Sequence, residues 1–409
     1  MSKNVIFIST NFSPETCPGA KRIKFFAEEI NKKNNVIIIT LLPNYPQGEI
    51  YKNYRTTKVI TKYLENNMTV YRIYPLIVPK NRIFLRVLAE LYFAFISFLL
   101  ILSFSKVDLV VTTTPSMFLG PTGFVASKLK RAFFIWDIRD LIWLYAADII
   151  KKRFTAKLIE KLIIKIAHRA NGIITTTDSQ KEYFIDNGCS HNKILVIPNG
   201  VDDDFYSFFC NQIQIDDTFM PQEYKVVYSG LIGYPQDLSV LVETAKLMQN
   251  DKRIKFIIAG QGVEYKKIKN LILSNQLRNI ELLGYLDQEK IKKLYRDAHI
   301  LFAHLRDDQS LRTAQPSKIW EYMAVGKPII FAGEGESKKV LNEVRCGIVV
   351  PPNKPEQIVK AIYEIIENYP QYYLEFKSKA HKYISKNRLN SILAKKFENY
   401  VMNKIGLKD

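Results

Sequence analysis

"QPSKIWEYMAVGKPII", Gln315 to Ile330, reads as a loop, a short helix from about Ser317 to Ala324, a stop at Gly326 and an apolar strand begun by Pro328. Ser317 suits an N-cap, where its hydroxyl or an incoming anion satisfies free N–H groups at the positive end of the helix. Glu321, the only carboxylate of the stretch, follows about one turn later. A phosphate at the helix start and a hydroxyl-rich group at Glu321 would suit a nucleotide. A capped amphipathic helix with a solvent-facing glutamate reads equally well from these residues alone.

The same helix-then-strand alternation extends in both directions. Apolar runs "NVIFIST", "NVIIITLL", "MTVYRIYP", "VDLVVTTTP", "AFFIWDIRD", "NGIITTTD" and "KILVIPNG" are separated by helix-length segments. After "IPNGVDDDFY" the pattern restarts with "YKVVYSGLIG", "IKFIIAGQG", "NIELLGYL", "HILFAHL", "KPIIFAG" and "CGIVVPP". This is the pattern of β-α-β units on parallel sheets. It predicts an α/β protein of two doubly wound domains joined near Asn199 to Asp204, with a ligand at the C-terminal ends of the strands.

At 409 residues and 47% hydrophobic content the chain can fill two or three cores. Its 59 Lys and Arg against 40 Asp and Glu, a net charge of +19, favour an anionic partner: lipid, nucleic acid or a phosphorylated ligand. The four cysteines stand far apart without C-x-x-C spacing, which fits a reduced cytosolic setting. The first residues, "MSKNVIFIST", read as a strand, because the apolar run is too short for a signal peptide.

Ile83 to Phe104, "IFLRVLAELYFAFISFLLILSF", is long and aromatic-rich, with Arg86 and Glu90 interrupting its first part. Three readings stand: a helix that dips into a membrane face, a buried domain helix, and a bilayer-spanning one. Lys80, Arg82, Arg86, Lys106, Lys128, Lys130 and Arg131 would meet anionic headgroups or form a solvated basic rim.

Two glycine-bearing loops follow strands in the second half, at Gly230 and Gly233 and at Gly260 and Gly262; Gly19 stands just before a helix in the first. Such loops let backbone N–H groups approach phosphate, and ordinary tight turns use the same glycines. The chain has no Walker lysine motif and no full G-x-G-x-x-G, which disfavours ATP hydrolysis and hydride transfer. The five histidines lack metal-ligand spacing, so no protein-held metal and no cofactor are expected, and no G-x-S-x-G elbow occurs. A basic strip, "AHLRDDQSLRTAQPSK", brings Arg306, Arg312 and Lys318 ahead of the opening helix. Such charge, with a helix N-terminus, can neutralise a diphosphate leaving group.

With these residues placed, the chain resembles a GT-B glycosyltransferase of family 4, the retaining, nucleotide-sugar-dependent enzymes of polysaccharide and lipopolysaccharide assembly. It looks closest to the branch making O-antigen, capsule or colanic-acid-type repeats. The resemblance runs through "NFSPETCPGAKR", "PNYPQGEIYKNYR", "TTTPSMFLG", "WDIRDL", "VIPNGVD", "YSGLIG", "IAGQG", "LLGYL" and, most specifically, "PSKIWEYMAVGKPII". It implies two Rossmann-like domains facing a cleft. Residues 1–199 would form the acceptor side, with a C-terminal helix of about 386–409 packing back on it, and 205–385 would bind the nucleotide sugar.

The resemblance further implies that Glu321 binds ribose hydroxyls. Pro316, Ser317 and Lys318 would face the diphosphate and sugar, and the Gly284–Tyr285–Leu286 turn would lie near the base. Proline donates no N–H, so Ser317 and Lys318 lead. The family's earlier glutamate is replaced by Thr313, and its first-loop Arg and Lys by Leu231 and approximately Gln236, which leaves phosphate charge to Arg306 or Arg312. On the acceptor side, Asp140 is the candidate base with Asp137 second, each alternatively an ion-pair partner of Arg139. Glu15, Gly19 and Lys21 would approach the acceptor or the donor diphosphate.

The resulting expectation is a transferase on the inner face of the cell membrane, moving a hexose or N-acetylhexosamine from a nucleotide sugar, UDP ahead of GDP, to a lipid-linked saccharide. A nucleotide-sugar epimerase of the same architecture is the enzyme alternative, although it would need no membrane helix. A non-catalytic membrane-bound scaffold is the other, given Thr313, Leu231 and Gln236. No nucleic-acid partner is expected, since no reader motif with stacking aromatics occurs.

Overall fold

The computed structural model describes residues 2–45, 48–79, 82–144, 153–211, 220–308, 311–312 and 316–406, without the side chains of 153–156. The chain divides into two units: Met1–Asn199 with Asn390–Asp409, and Gly200–Leu389.

In the first unit the strands are β1 (Asn4–Ile8), β2 (Asn35–Leu41), β3 (Ile60–Glu65), β4 (Met68–Ile73), β5 (Leu109–Thr113), β6 (Phe133–Ile138), β7 (Gly172–Thr175) and β8 (Ile194–Val196). Its helices are α1 (Pro18–Asn31), α2 (Ile83–Ser103), α3 (Leu119–Leu129), α4 (Arg153–Arg169) and α5 (Asp178–Asp186). In the second unit they are α6 (Asp203–Cys210), α7 (Ser239–Leu247), α8 (Tyr265–Ser274), α9 (Gln288–Asp297), α10 (Ser317–Val325), α11 (Glu336–Val344), α12 (Pro355–Glu367) and α13 (Tyr369–Asn387). The second unit's strands are β9 (Tyr224–Ser229), β10 (Ile254–Ala259), β11 (Ile280–Gly284), β12 (Ile300–His304), β13 (Ile329–Ala332) and β14 (Gly347–Val350). The last helix, α14 (Asn390–Lys404), belongs to the first unit, where Phe397 stacks on Phe26 of α1 at 4.1 Å.

The first sheet runs β3-β4-β2-β1-β5-β6-β7-β8 and the second β11-β10-β9-β12-β13-β14. Strands buried on both faces, such as β5 and β12, need the continuous apolar runs seen in the sequence. Each sheet is wound outward in two directions, so each has a switch point, between β1 and β5 and between β9 and β12. Loops diverge there and leave a crevice at the strands' C-terminal ends.

One strand departs from the parallel expectation. β3 pairs antiparallel with β4 at the sheet edge, joined by Asn66 and Asn67, whose φ values of 49° and 60° give a two-residue hairpin. Gly19 also lies inside the first turn of α1 rather than ahead of it.

The segment with three readings is a crossover helix between β4 and β5. Phe93, Ala94, Ser97 and Ile101 bury one stripe of α2 on the sheet, while Phe84, Phe95 and Leu99 stand in solvent. A helix laid on the sheet that holds both its flanking strands does not cross a bilayer, which sets the spanning reading aside. Its carboxylate, Glu90, turns inward and accepts from the Ser116 hydroxyl at 2.9 Å; burial pushes the Glu90 carboxyl up. Lys80 lies outside the described residues.

Candidate functional site

At the switch point of the second unit, three loops lie against one another. Gly230 N–H donates to Ala259 O at 2.9 Å, Ile232 N–H to Gln261 O at 2.9 Å and Gly260 N–H to Gly284 O at 2.7 Å. Gly260 has φ +150°, and any Cβ there would collide with the Gly230 carbonyl. Glycine is required because two backbones meet without room for a side chain. Gly262 abuts the Ile232 carbonyl in the same way, whereas a Cβ on Gly233 would meet the Gln236 side chain at 3.2 Å.

α10 starts beside this stack. Pro316 is its N-cap, with φ −57° and no side-chain cap, so Ser317 is the first helical residue and not the cap. The fixed φ of proline leads the chain into the helix and leaves the first N–H groups without an intrahelical partner. Gly326 ends the helix in the left-handed region, φ 74°, as its position in the sequence predicted. Ile319, Trp320, Tyr322 and Met323 are buried, which leaves Glu321 half-buried between them. The Tyr322 hydroxyl donates to Phe302 O at 3.2 Å and accepts from Ser229 N–H at 3.0 Å, fixing α10 to the end of β9.

Lys318 reaches across to the β9 loop. Its Nζ donates to the buried Tyr228 hydroxyl at 2.5 Å and lies 3.8 Å from that ring's centroid. A Cβ on Gly230 would stand 3.0 Å from the same Nζ. No carboxylate among the described residues forms an ion pair with it. Burial pushes the ammonium down to about 7, with Glu321 pulling the other way. An ammonium with donors to spare, open helix N–H groups and a carboxylate one turn on can hold a ligand carrying an anionic group and neighbouring hydroxyls.

The two arginines each form an ion pair with an aspartate. Arg306 pairs with Asp237 at 2.7 Å and lies over the Tyr234 ring, 4.1 Å from its centroid, so its charge is balanced within the loops. Arg312 is exposed and pairs with Asp307 at 2.9 Å, while its carbonyl accepts from Glu336 N–H at 3.1 Å. Each arginine thus has an aspartate within loop reach, and the Arg306 Nε is buried without an acceptor among the described residues. Leu231 and Tyr285 are exposed, and Leu286 packs on the core. Thr313 lies outside the described residues.

The first unit corrects two of the acceptor-side assignments, Asp137 and Glu15. Asp137 is fully buried, and Arg22 grips it through Nε–Oδ2 at 3.0 Å and Nη2–Oδ1 at 2.8 Å. The Thr113 hydroxyl adds a bond at 2.9 Å, so this carboxylate is structural and pairs with Arg22, not Arg139. Glu15 is 4% exposed and accepts from Asn11 Nδ2 and from the N–H groups of Phe12, Asn44 and Tyr45, which shapes the loop and leaves it no substrate-facing oxygen. Asp140 and Lys21 are half-buried.

Sequence reasoning treated Arg139 only as an ion-pair partner. Its N–H donates to the Thr114 hydroxyl at 2.8 Å, its carbonyl accepts from Thr176 and Gln180, and its guanidinium lies against Gly19 in the first turn of α1. Its Nε is buried without a protein acceptor among the described residues. A cation at an uncapped helix start marks a second anion-favouring position; "WDIRD" carried the signal, but its flanking aspartates claimed the arginine. Among the described residues no group of three or more His, Cys, Asp or Glu side chains could hold a metal ion.

The family model described as Glycosyl transferases group 1 matches residues 212–387, and the model for Glycosyltransferase Family 4 matches residues 26–205. The chain is 25% identical over 384 residues to the putative colanic acid biosynthesis glycosyl transferase WcaI of Escherichia coli K12, covering 88% of this chain and 92% of the relative. Its fold matches Anabaena HepE in complex with UDP-glucose, with TM-score 0.67, 15% identity and coverage of 98% and 99%. It also matches WaaG, a glycosyltransferase involved in lipopolysaccharide biosynthesis, with TM-score 0.63, 14% identity and coverage of 97% and 99%. Two doubly wound units and the two family models spanning most of the chain give one conclusion: the protein is a family 4 glycosyltransferase of the GT-B fold.

Proposed function

We propose that the protein transfers a hexose or N-acetylhexosamine, with retention, from a nucleotide sugar to a lipid-linked saccharide during assembly of a bacterial surface polysaccharide. The observation that carries this reading is the placement of Lys318 and Glu321 on one helix at the switch point of the second unit. Glu321 accepts hydrogen bonds from the ribose, Lys318 and the N–H groups of Ser317 and Lys318 receive the diphosphate, and Tyr285 lies toward the base. A uridine nucleotide is favoured over a guanosine one; HepE, a structural neighbour, is in complex with UDP-glucose.

In the reaction the anomeric C–O bond to the diphosphate breaks, and a bond to the acceptor oxygen forms on the same face. The acceptor hydroxyl gives up its proton to Asp140, the first candidate base; Asp137, the second, is committed to Arg22. Negative charge building on the leaving diphosphate meets Lys318 and the helix N-terminus, a charge balance that calls for no protein-held metal. The acceptor's lipid places the work at the cytoplasmic membrane face.

The test is calorimetric titration and thermal shift with UDP-, GDP- and ADP-sugars. Selective stabilisation by one series, lost in Glu321→Ala, is expected; no stabilisation by any series overturns the reading.

A pH dependence follows from Lys318. With the free ammonium titrating at about 7, a bound diphosphate raises its proton affinity, so binding above that pH takes up a proton. A nucleotide sugar has no phosphate group titrating near neutrality, so the uptake reports the protein alone. Affinity should be highest below about pH 7 and fall by up to about tenfold per pH unit above it. Titration at pH 8 in buffers of different ionisation enthalpy measures the uptake directly, and Lys318→Met should abolish it.

A further inference from the structure

We propose that the outer surface of α2, α3 and α4 is one continuous docking face for an anionic lipid bilayer, with apolar side chains from all three helices and a lysine stripe on α4. The three helices cover the same side of the first sheet, where Phe93, Ala126 and Ile163 join one core cluster. α3 touches both α2 and α4, so their outward faces adjoin.

Those faces are apolar where solvent would favour polarity. α2 exposes Phe84 at 72% and Phe95 at 59%, α3 exposes Leu129 at 61%, and α4 exposes Leu158 at 61%. α2 alone is 21 residues long with a mean hydropathy of 2.1 over its most apolar window, yet only 22% of that window is buried. An apolar surface of this extent on a soluble unit marks a contact face.

Charge selects the occupant. Lys157, Lys161 and Lys165 repeat every fourth residue, so they line one side of α4, and all are exposed beside Leu158 and Leu162. A shallow depression of about 650 Å³ runs along this stripe, with Arg169 at its end. The two carboxylates within the three helices are engaged: Glu90 by Ser116, and Glu160 by the Tyr183 hydroxyl at 2.7 Å. Long lysines flanking leucines can lay their stems on an apolar layer and raise their ammonium groups to phosphate. Protein interfaces are depleted in lysine, and a symmetric second copy would bring like-charged stripes together. A bilayer rich in anionic headgroups suits both features.

The experiment is vesicle flotation of the full chain, with phosphatidylcholine vesicles and with mixed phosphatidylcholine–phosphatidylglycerol vesicles, at low and high salt. Binding to the mixed vesicles, weakened by salt, is expected. The triple variant Lys157→Ser, Lys161→Ser, Lys165→Ser should lower partition by about a hundredfold, since each cation near such a surface contributes roughly fivefold. Phe84→Ser with Phe95→Ser should also release the protein. All these side chains are exposed, so circular dichroism, melting and nucleotide-sugar affinity should stay unchanged, which separates this proposal from the reading of the donor site. Failure of the wild type to float with mixed vesicles overturns the proposal, as does unchanged partition of the lysine variant. A dimer in sedimentation that Phe84→Ser with Phe95→Ser dissociates, without vesicle binding, would assign the face to a second copy instead.

Discussion

Asp137→Ala is expected to cost the first unit about 3–5 kcal/mol, because it leaves the Arg22 guanidinium buried without its counter-charge. Arg22 and Asp137 side chains are 1% and 0% exposed, so water cannot replace the missing partner. The remaining bonds of Arg22, to Pro198 O at 3.0 Å and Ile197 O at 2.8 Å, are to neutral carbonyls and do not balance the charge. Urea unfolding should show the loss as a lower midpoint at unchanged slope, and heating as a melting point lower by roughly 10 °C. Asp137→Asn should also destabilise, which separates the structural role from a catalytic one: a base replaced by its amide would lose turnover at native stability. The pair Arg22→Met with Asp137→Leu should recover much of the loss, since no lone charge stays buried.

Glu321→Ala has the largest expected effect on ligand binding. If Glu321 accepts from two ribose hydroxyls, its removal should weaken nucleotide-sugar affinity by about 2–4 kcal/mol and leave the melting point of the free protein unchanged. Trp320, Tyr322 and Met323 carry the packing of α10, so the half-buried glutamate can be shortened without opening the core. Glu321→Gln should fall between, because the amide keeps one acceptor and loses the charge. Titration with a deoxyribose donor gives a second check: the variant should lose most of its discrimination between the two sugars. Equal affinity of Glu321→Ala and wild type would remove this residue from the site.

The units and their parallel strands were legible because doubly covered strands must be apolar throughout, and runs such as "NVIIITLL" and "HILFAHL" have no other economical reading. β3 was missed for the complementary reason. At the edge its residues alternate between exposed and half-buried, so "ITKYLE" carries no apolar run, although "NN" before Met68 was a hairpin signal.

The α10 helix and the place of Glu321 on it were located by local pattern, since a helix start and stop depend on neighbours within a few residues; the glycines stood out in the sequence, but the contacts that require them, Gly260 against Gly230 and Gly262 against Ile232, join loops about thirty residues apart. Ion pairs were not legible locally either. Asp137 was matched to an arginine two residues away, yet its partner lies 115 residues earlier, brought in by the sheet. Glu15 likewise serves backbone N–H groups about thirty residues later. The lysines of α4 were visible but had no meaning until α3 set them beside α2.

The path of the chain has a consequence for biosynthesis. The first unit is interrupted after Asn199 and completed only from Asn390 onward, when α14 lays Phe397 on Phe26 and near Phe7. During translation, the amino-terminal portion must wait for nearly two hundred further residues before that side of its core is closed. A ribosome stalled before Asn390 would therefore present a nascent chain with an open aromatic seam, a natural ligand for chaperones, while the intervening unit could already have folded.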